Sequence, residues 1–279
     1  MTLIIGIKCK DGVVLGSDGA ATYGVLGQQT IRQAVKKKLR LLGTQGVVGV
    51  SGSVGIGQRF SAEVEIIRNR GVVSGPPDSK TGLPPRRTLD KLKPHEAMDG
   101  LRQALWRIIG FELDTARVMA QTIGNPSPVH SCLSQSVVCL LVENKPCLIQ
   151  FDQQGMPEEA TDDLPFVAIG SGQLIADPFL AFLRRLYWPS TTPDVEQGIF
   201  TTVWALHHAI ETNPGGVGPP IQIVTFRQDA AKIWTASEMP EAEWQDHLEF
   251  IKDIEREMGS LPNKLQQGKG GPPPPSPPK

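Results

Sequence analysis

The chain keeps its strand-like and helix-like stretches in separate blocks, and this order constrains the fold more than any other feature. Residues 2–9 alternate apolar and polar in the period of two that marks a half-buried strand. "KDG" (10–12) offers an Asp-Gly turn, and residues 13–17 return as a second strand. A polar connection, 19–33, leads to a strand over 34–42, "AVKKKLRLL", and a fourth strand over 47–53, "VVGVSGS". Two helical stretches follow, 57–70 and 90–111, separated by a Pro/Gly-rich insertion at 71–86. Strands resume at 135–142, 146–152 and 164–172. Helices then occupy 173–188 and 193–212, the second opening on Pro193 with acidic Asp194 and Glu196 in its first turn. Strands at 221–226 and 231–236 close the series. A strand–helix–strand alternation is absent, which excludes a doubly wound parallel sheet. The order predicts an α+β fold: a four-layer α/β/β/α sandwich of two antiparallel sheets flanked by helix pairs, over residues 1–236. Residues 237–279 read as an extension. It has an amphipathic helix at 241–258, with Trp244, Leu248, Ile251 and Ile254 near one stripe, and a low-complexity Pro/Gly-rich end with nothing to bury.

Composition removes several function classes. The formal net charge is −1, so a polyanion partner such as nucleic acid has no electrostatic support. "VVCLLV" (137–142) is too short to cross a bilayer, and the opening lacks the basic region of a signal peptide. Cys9, Cys132, Cys139 and Cys147 have no CxxC spacing and read as reduced, buried thiols, which points to the cytoplasm. The five histidines are scattered, so neither a metal site nor a cofactor is expected.

"TLIIGIK" at the start, "GVVLGSDGAATYG", "VKKKLRLL", "VVGVSGS", the later "IGSG" and "NPGG" before the last hairpin together resemble a proteasome β-subunit or HslV-type peptidase. The combination spans about residues 2–236 and suggests a bacterial proteasome homologue in the N-terminal-nucleophile (Ntn) hydrolase superfamily, whose fold is the same sandwich. The resemblance implies that removal of Met1 makes Thr2 both nucleophile and base. Its hydroxyl alone is a poor nucleophile, but a free α-amine, with a pKa of roughly 7.7–8.0, can take the proton near neutral pH. Asp18 matches the acid that holds the catalytic lysine. Among Lys36, Lys37 and Lys38, strand parity selects Lys37, which shares a face with Val35, Leu39 and Leu41. Gly52 matches the oxyanion-hole glycine. Ser134 matches the serine near the threonine amine, and Glu211 stands where an acidic partner of that serine is expected. The chain departs from the family at Ala20, where an arginine is common, and at Pro214, where a serine is common.

The substrate-binding positions that the resemblance assigns are Ala21, Thr22, Val35, Leu39, Val50 and Val54; none is charged, so an apolar P1 side chain is expected. The function so implied is threonine-type endopeptidase activity on peptides or unfolded proteins. It would act inside a self-compartmentalised homo-oligomer, a ring or double ring, with an ATP-dependent unfoldase as a candidate partner and with neither nucleic acid nor membrane. The alternatives are a non-catalytic ring or scaffold subunit, and an Ntn-type transpeptidase or amidase.

Overall fold

The computed structural model describes residues 2–25, 28–34, 37–79, 81–124, 129, 132–213 and 216–266, with the backbone alone at 22–33 and 263–266. The chain opens on the hairpin β1 (Ile4–Cys9) and β2 (Gly12–Ser17), joined at the Lys10-Asp11 turn. The strands β3 (Ala20–Val25) and β4 (Gln28–Ala34) form a two-stranded ribbon where the sequence suggests only a connection. The third predicted strand contracts to β5 (Leu39–Leu41), and β6 (Gly46–Ser51) pairs with it. α1 (Val54–Arg70) and α2 (Pro94–Ile123) follow. Between them β7 (Val72–Val73) and β8 (Arg86–Arg87) close the base of the insertion, and a single 3-10 turn spans Leu89–Lys91.

The second half runs β9 (Gln135–Val142), β10 (Lys145–Phe151), β11 (Pro157–Glu159) and β12 (Phe166–Ile169). α3 (Gln173–Tyr187), α4 (Val195–Thr212), β13 (Gln222–Gln228), β14 (Trp234–Glu238) and α5 (Glu241–Gln266) complete it. α4 begins where the acidic first turn predicts. Asp194 accepts from the Gln197 nitrogen at 2.9 Å, and Gln197 Oε1 accepts from the Asp194 nitrogen at 3.1 Å, a reciprocal cap. The helix predicted over 241–258 continues to Gln266.

The fold is α+β. Two five-stranded sheets, ordered β12-β1-β2-β13-β14 and β11-β10-β9-β6-β5, are antiparallel throughout, and five helices accompany them among the described residues. Three apolar clusters hold these parts together. One joins α1 and α2 to the second sheet through Phe60, Leu101, Leu140 and Phe151. Another joins the first sheet to α3, α4 and α5 through Ile5, Leu180, Val203 and Ile251. The third lies between the sheets and contains Ile4, Leu15, Leu39, Val137, Leu148 and Val224. The β1–β2 register pairs Cys9 with Gly12 and Ile4 with Ser17, so Leu3 falls opposite Asp18. One tight turn thereby fixes which carboxylate lies beside Thr2.

A candidate active site at the edge of the two sheets

Asp18 is 1% exposed, and a carboxylate so buried must be fully bonded. Its Oδ1 accepts from the Leu3 nitrogen at 2.8 Å, and its Oδ2 accepts from the nitrogens of Ala20 at 2.9 Å and Gly218 at 3.2 Å. The remaining partner is a lysine, and it is Lys38: Nζ stands 2.6 Å from Asp18 Oδ1, 2.6 Å from the Ala20 carbonyl and 3.4 Å from Thr2 Oγ1.

Lys37, the lysine that strand parity selects, lines the cavity at Thr2, but its ammonium turns away from Thr2. It is exposed and pairs with Glu238 at 2.9 Å. The parity argument assigns Leu39 and Leu41 to the interior, and both do pack into the cluster between the sheets. That interior is closed by Ile4, Leu15 and Val47, which leaves no room there for an ammonium. Thr2 is reached instead from the bend just before β5, by the side chain of the opposite parity. Lys36 and Val35 lie outside the described residues. Burial pulls the Lys38 ammonium below its ordinary value, and the Asp18 charge and hydrogen bond work against that shift.

Thr2 is held by the glycine turn after β12. Its nitrogen donates to Ser171 Oγ at 3.2 Å, and its carbonyl accepts from the Gly172 nitrogen at 3.2 Å and from Ser171 Oγ at 3.5 Å. Gly170 has φ +94°, and a Cβ there would overlap the Thr2 carbonyl oxygen, so only glycine allows this approach. Ser171 belongs to "IGSG", a stretch that carries the resemblance, yet sequence reasoning gave it no role. Ser134, the predicted partner of the amine, is buried and lines a neighbouring cavity; among the described residues it makes no hydrogen bond to Thr2. Glu211 lies exposed in the last turn of α4, away from the cavities at Thr2, and no ion pair or hydrogen bond reaches it among the described residues. The segment after α4 meets the site at Asp18, through the Gly218 nitrogen. Pro214 lies outside the described residues.

A cavity of about 440 Å³ opens at Thr2. Ala21, Val50 and Val54, three of the predicted substrate-binding positions, line it together with Gly52 and Lys37. Leu39 does not, because it faces the core. The same one-residue change that brings Lys38 to Thr2 brings Arg40 to the cavity, with Gln58 and Ser61 of α1 beside it. The lining is therefore partly polar and partly cationic. Arg40 carries a counter-charge, Glu65 at 2.9 Å. The side chain of Thr22 is not among those described. Gly52 has φ +119°, and a Cβ there would stand 2.7 Å from the Leu133 carbonyl, so no other residue fits. On its far side a second cavity, about 420 Å³, is lined by Ser134, Gln135, Gln173 and Leu174. Among the described residues no group of His, Cys, Asp and Glu is placed to hold a metal ion, and no helix is long and apolar enough to cross a membrane.

The two antiparallel sheets bring a buried Lys–Asp pair to Thr2. Solved structures of Anbu proteins share this fold across nearly the whole chain. An Anbu variant from Hyphomicrobium sp. strain MC1 superposes with a TM-score of 0.64 at 16% identity, covering 93% of this chain and 97% of that one. Anbu from Yersinia bercovieri, described as an ancestral beta-subunit, gives 0.61 at 15% identity over 98% and 100%. The Anbu complex from Pseudomonas aeruginosa, described as a helical assembly, gives 0.61 at 18% identity over 97% and 98%. No protein-family model and no curated protein sequence matches the chain. The assignment to proteasome β-subunits or HslV-type peptidases is thereby corrected: it has no support at sequence level, and the structural likeness runs to Anbu. At these identities the likeness establishes the fold.

Proposed function

We propose that the chain is a proteasome-like Ntn hydrolase, an endopeptidase whose nucleophile is Thr2 once Met1 is removed. The observation that carries this reading is the Lys38 ammonium, which is 3.4 Å from Thr2 Oγ1 and ion-paired at 2.6 Å to a carboxylate without exposed surface. A cation so placed lowers the cost of forming an alkoxide at Thr2 and disfavours protonation of the adjacent amine. In the proposed reaction Thr2 Oγ1 attacks the scissile carbonyl and its proton passes to the α-amine. The Gly52 N–H stabilises the oxyanion. The Thr2 α-ammonium so formed returns the proton to the leaving amine. Water, deprotonated by the same amine, then cleaves the ester and restores Thr2. Ser171 holds the amine in this scheme, in place of Ser134 and Glu211.

The cavity at Thr2 takes the P1 side chain. Its apolar wall of Ala21, Val50 and Val54 suits an apolar body, and Arg40 and Gln58 disfavour a basic one. The same reading includes a four-layer sandwich, a catalytic domain over 1–236 with 237–279 as an extension, and a homo-oligomer. It also places the protein in a reducing cytoplasm, in keeping with four buried free cysteines. The experiment is an intact-mass measurement paired with hydrolysis of fluorogenic peptides by the wild type and Thr2→Ala. The reading expects loss of Met1 and Thr2-dependent turnover; retained Met1, or turnover that survives Thr2→Ala, overturns it.

A further inference from the structure

β13 reads "QIVTFRQ", and its first residue is an amide at 4% exposure next to Ile223 and Val224, which are fully buried. A primary amide in such surroundings is costly unless its polar atoms are bonded. Gln222 Oε1 accepts from the Lys38 nitrogen at 3.0 Å and the Leu39 nitrogen at 2.9 Å, and its Nε2 donates to the Leu39 carbonyl at 3.2 Å. Two N–H donors converge on one atom, so that atom must be the oxygen, and the orientation of the amide follows. β5 is the edge strand of its sheet, and an edge strand presents unpaired N–H and C=O groups. The Gln222 side chain satisfies them from the other sheet. It acts as a one-residue strand that ties Lys38 and Leu39 to β13. On its own sheet Gln222 pairs with Ser17, the residue before Asp18. One residue therefore holds the main chain of Lys38 while its backbone neighbour is the strand end that carries Asp18.

We propose that Gln222 is a positioning residue for the Lys38 ammonium: by clamping the bend before β5 it sets which of the three consecutive lysines faces Thr2 and holds Lys38 there. The proposal rests on the Thr2 reading for its catalytic consequence, but the placement of Lys38 can be measured without turnover. Gln222 does not itself line the cavity at Thr2 but bonds Lys38, which does, so its effect on the site passes through Lys38. The charged groups around that ammonium are Asp18 on the β2 end, Lys37 with its partner Glu238 on β14, Arg40 with Glu65 on α1, and the Thr2 amine after loss of Met1.

The test compares Gln222→Met, which keeps the shape and loses all three bonds, with Gln222→Glu. When protonated, the carboxyl of that variant offers the same carbonyl acceptor and one donor for the Leu39 carbonyl. Gln222→Asn, one methylene short, serves if Gln222→Met does not fold. For Gln222→Met we expect kcat to fall at least ~10-fold with KM within about twofold, as for a misplaced catalytic group. Gln222→Glu should recover most of that loss at pH values where its carboxyl is protonated. Independently, the ε-carbon resonance of Lys38 in lysine-labelled protein, assigned with Lys38→Arg, should titrate below the ordinary lysine range in the wild type and move towards it in Gln222→Met. A folded Gln222→Met with unchanged kcat and unchanged Lys38 titration overturns the proposal, even if its melting temperature drops, because Gln222 would then be structural only. A wild type without Thr2-dependent turnover overturns the function reading and leaves the resonance measurement to decide on Gln222.

Discussion

Asp18 accepts hydrogen bonds from three main-chain nitrogens in addition to its ion pair with Lys38, so the pair is one part of a fully bonded carboxylate. Lys38→Met removes the cation and leaves the other three donors in place. We expect it to abolish turnover and to cost about 3 kcal/mol, the lower end for breaking a buried pair. Lys37→Ala, which removes an exposed pair beside the cavity but no contact to Thr2 or Asp18, should retain activity and cost less than ~1 kcal/mol. Urea unfolding and peptide turnover of the two variants check this; a dead Lys37→Ala restores the parity assignment. The pH dependence follows from the lowered Lys38 value. Between its folded value and the unfolded 10.5 the unfolded chain binds more protons, so this group adds stability as pH rises through that window and withdraws it as pH falls. Activity runs the opposite way there, since the scheme needs the charged ammonium. The rate should fall on the alkaline side earlier than an ordinary lysine would dictate, and a rate that is flat up to pH 10.5 removes the cation from the mechanism. Thr2, Asp18, Gly52 and three cavity-wall residues were legible in the sequence because each lies next to a strand whose pattern is plain. The lysine was not: three identical residues stand in a row, and the hydrogen bonds that choose among them come from Gln222, some 180 positions away.

Hairpins closed by local chemistry are the elements that sequence reading resolves best. The two-residue Lys10-Asp11 turn joins β1 to β2, and "ENK" joins β9 to β10 with Glu143 and Asn144 at positive φ. The β3–β4 ribbon escaped because "ATYGVLGQQTIRQA" shows no sustained apolar alternation, so nothing in it distinguishes a strand from a polar connection. α5 shows the opposite case. Its stripe predicts docking, and Trp244 and Ile251 do enter the cluster under α3 and α4. The Trp204 indole also donates to Glu255 at 2.7 Å, a contact between elements that no local pattern announces. Ile251 has no exposed surface, so Ile251→Ala should destabilise by about 2–4 kcal/mol. Residues 267–279 lie outside the described residues, and deleting them should leave the melting temperature and turnover unchanged. Deletion from residue 241 onward takes Phe250 from Phe200, Glu255 from Trp204, and Trp244 and Ile251 from the core, and should lower the melting temperature by many degrees. Calorimetry of the point variant and the two truncations separates these outcomes; a melting temperature unmoved by loss of 241–279 would make α5 an independent appendage.

At the scale of the whole molecule the unexplained surface lies along α2. Phe111 is 70% exposed and Val118 is 63% exposed, seven residues apart on one face of the helix. Between and beyond them stand Thr115 and Thr122, whose hydroxyls donate back to the Phe111 and Val118 carbonyls at 3.0 and 2.8 Å. With both hydroxyls turned to the backbone, the threonines present their methyl groups, and the stripe becomes apolar over about three turns of helix. Met119 and Ile123, each more than half exposed, widen it. A monomer gains nothing by leaving such a patch in water. The homo-oligomer proposed above supplies an occupant of matching chemistry, the same stripe or an apolar face on a second copy. Phe111→Glu places a charge in its centre without touching the core or the Thr2 cavity, so it should leave the fold and its melting curve nearly intact. Light scattering should then show a smaller particle than the wild type at equal concentration, with Val118→Glu giving the same shift and Glu112→Gln, one position off the stripe, giving none. If Phe111→Glu and Val118→Glu both assemble like the wild type, the subunit contacts lie elsewhere and the stripe is not an assembly surface.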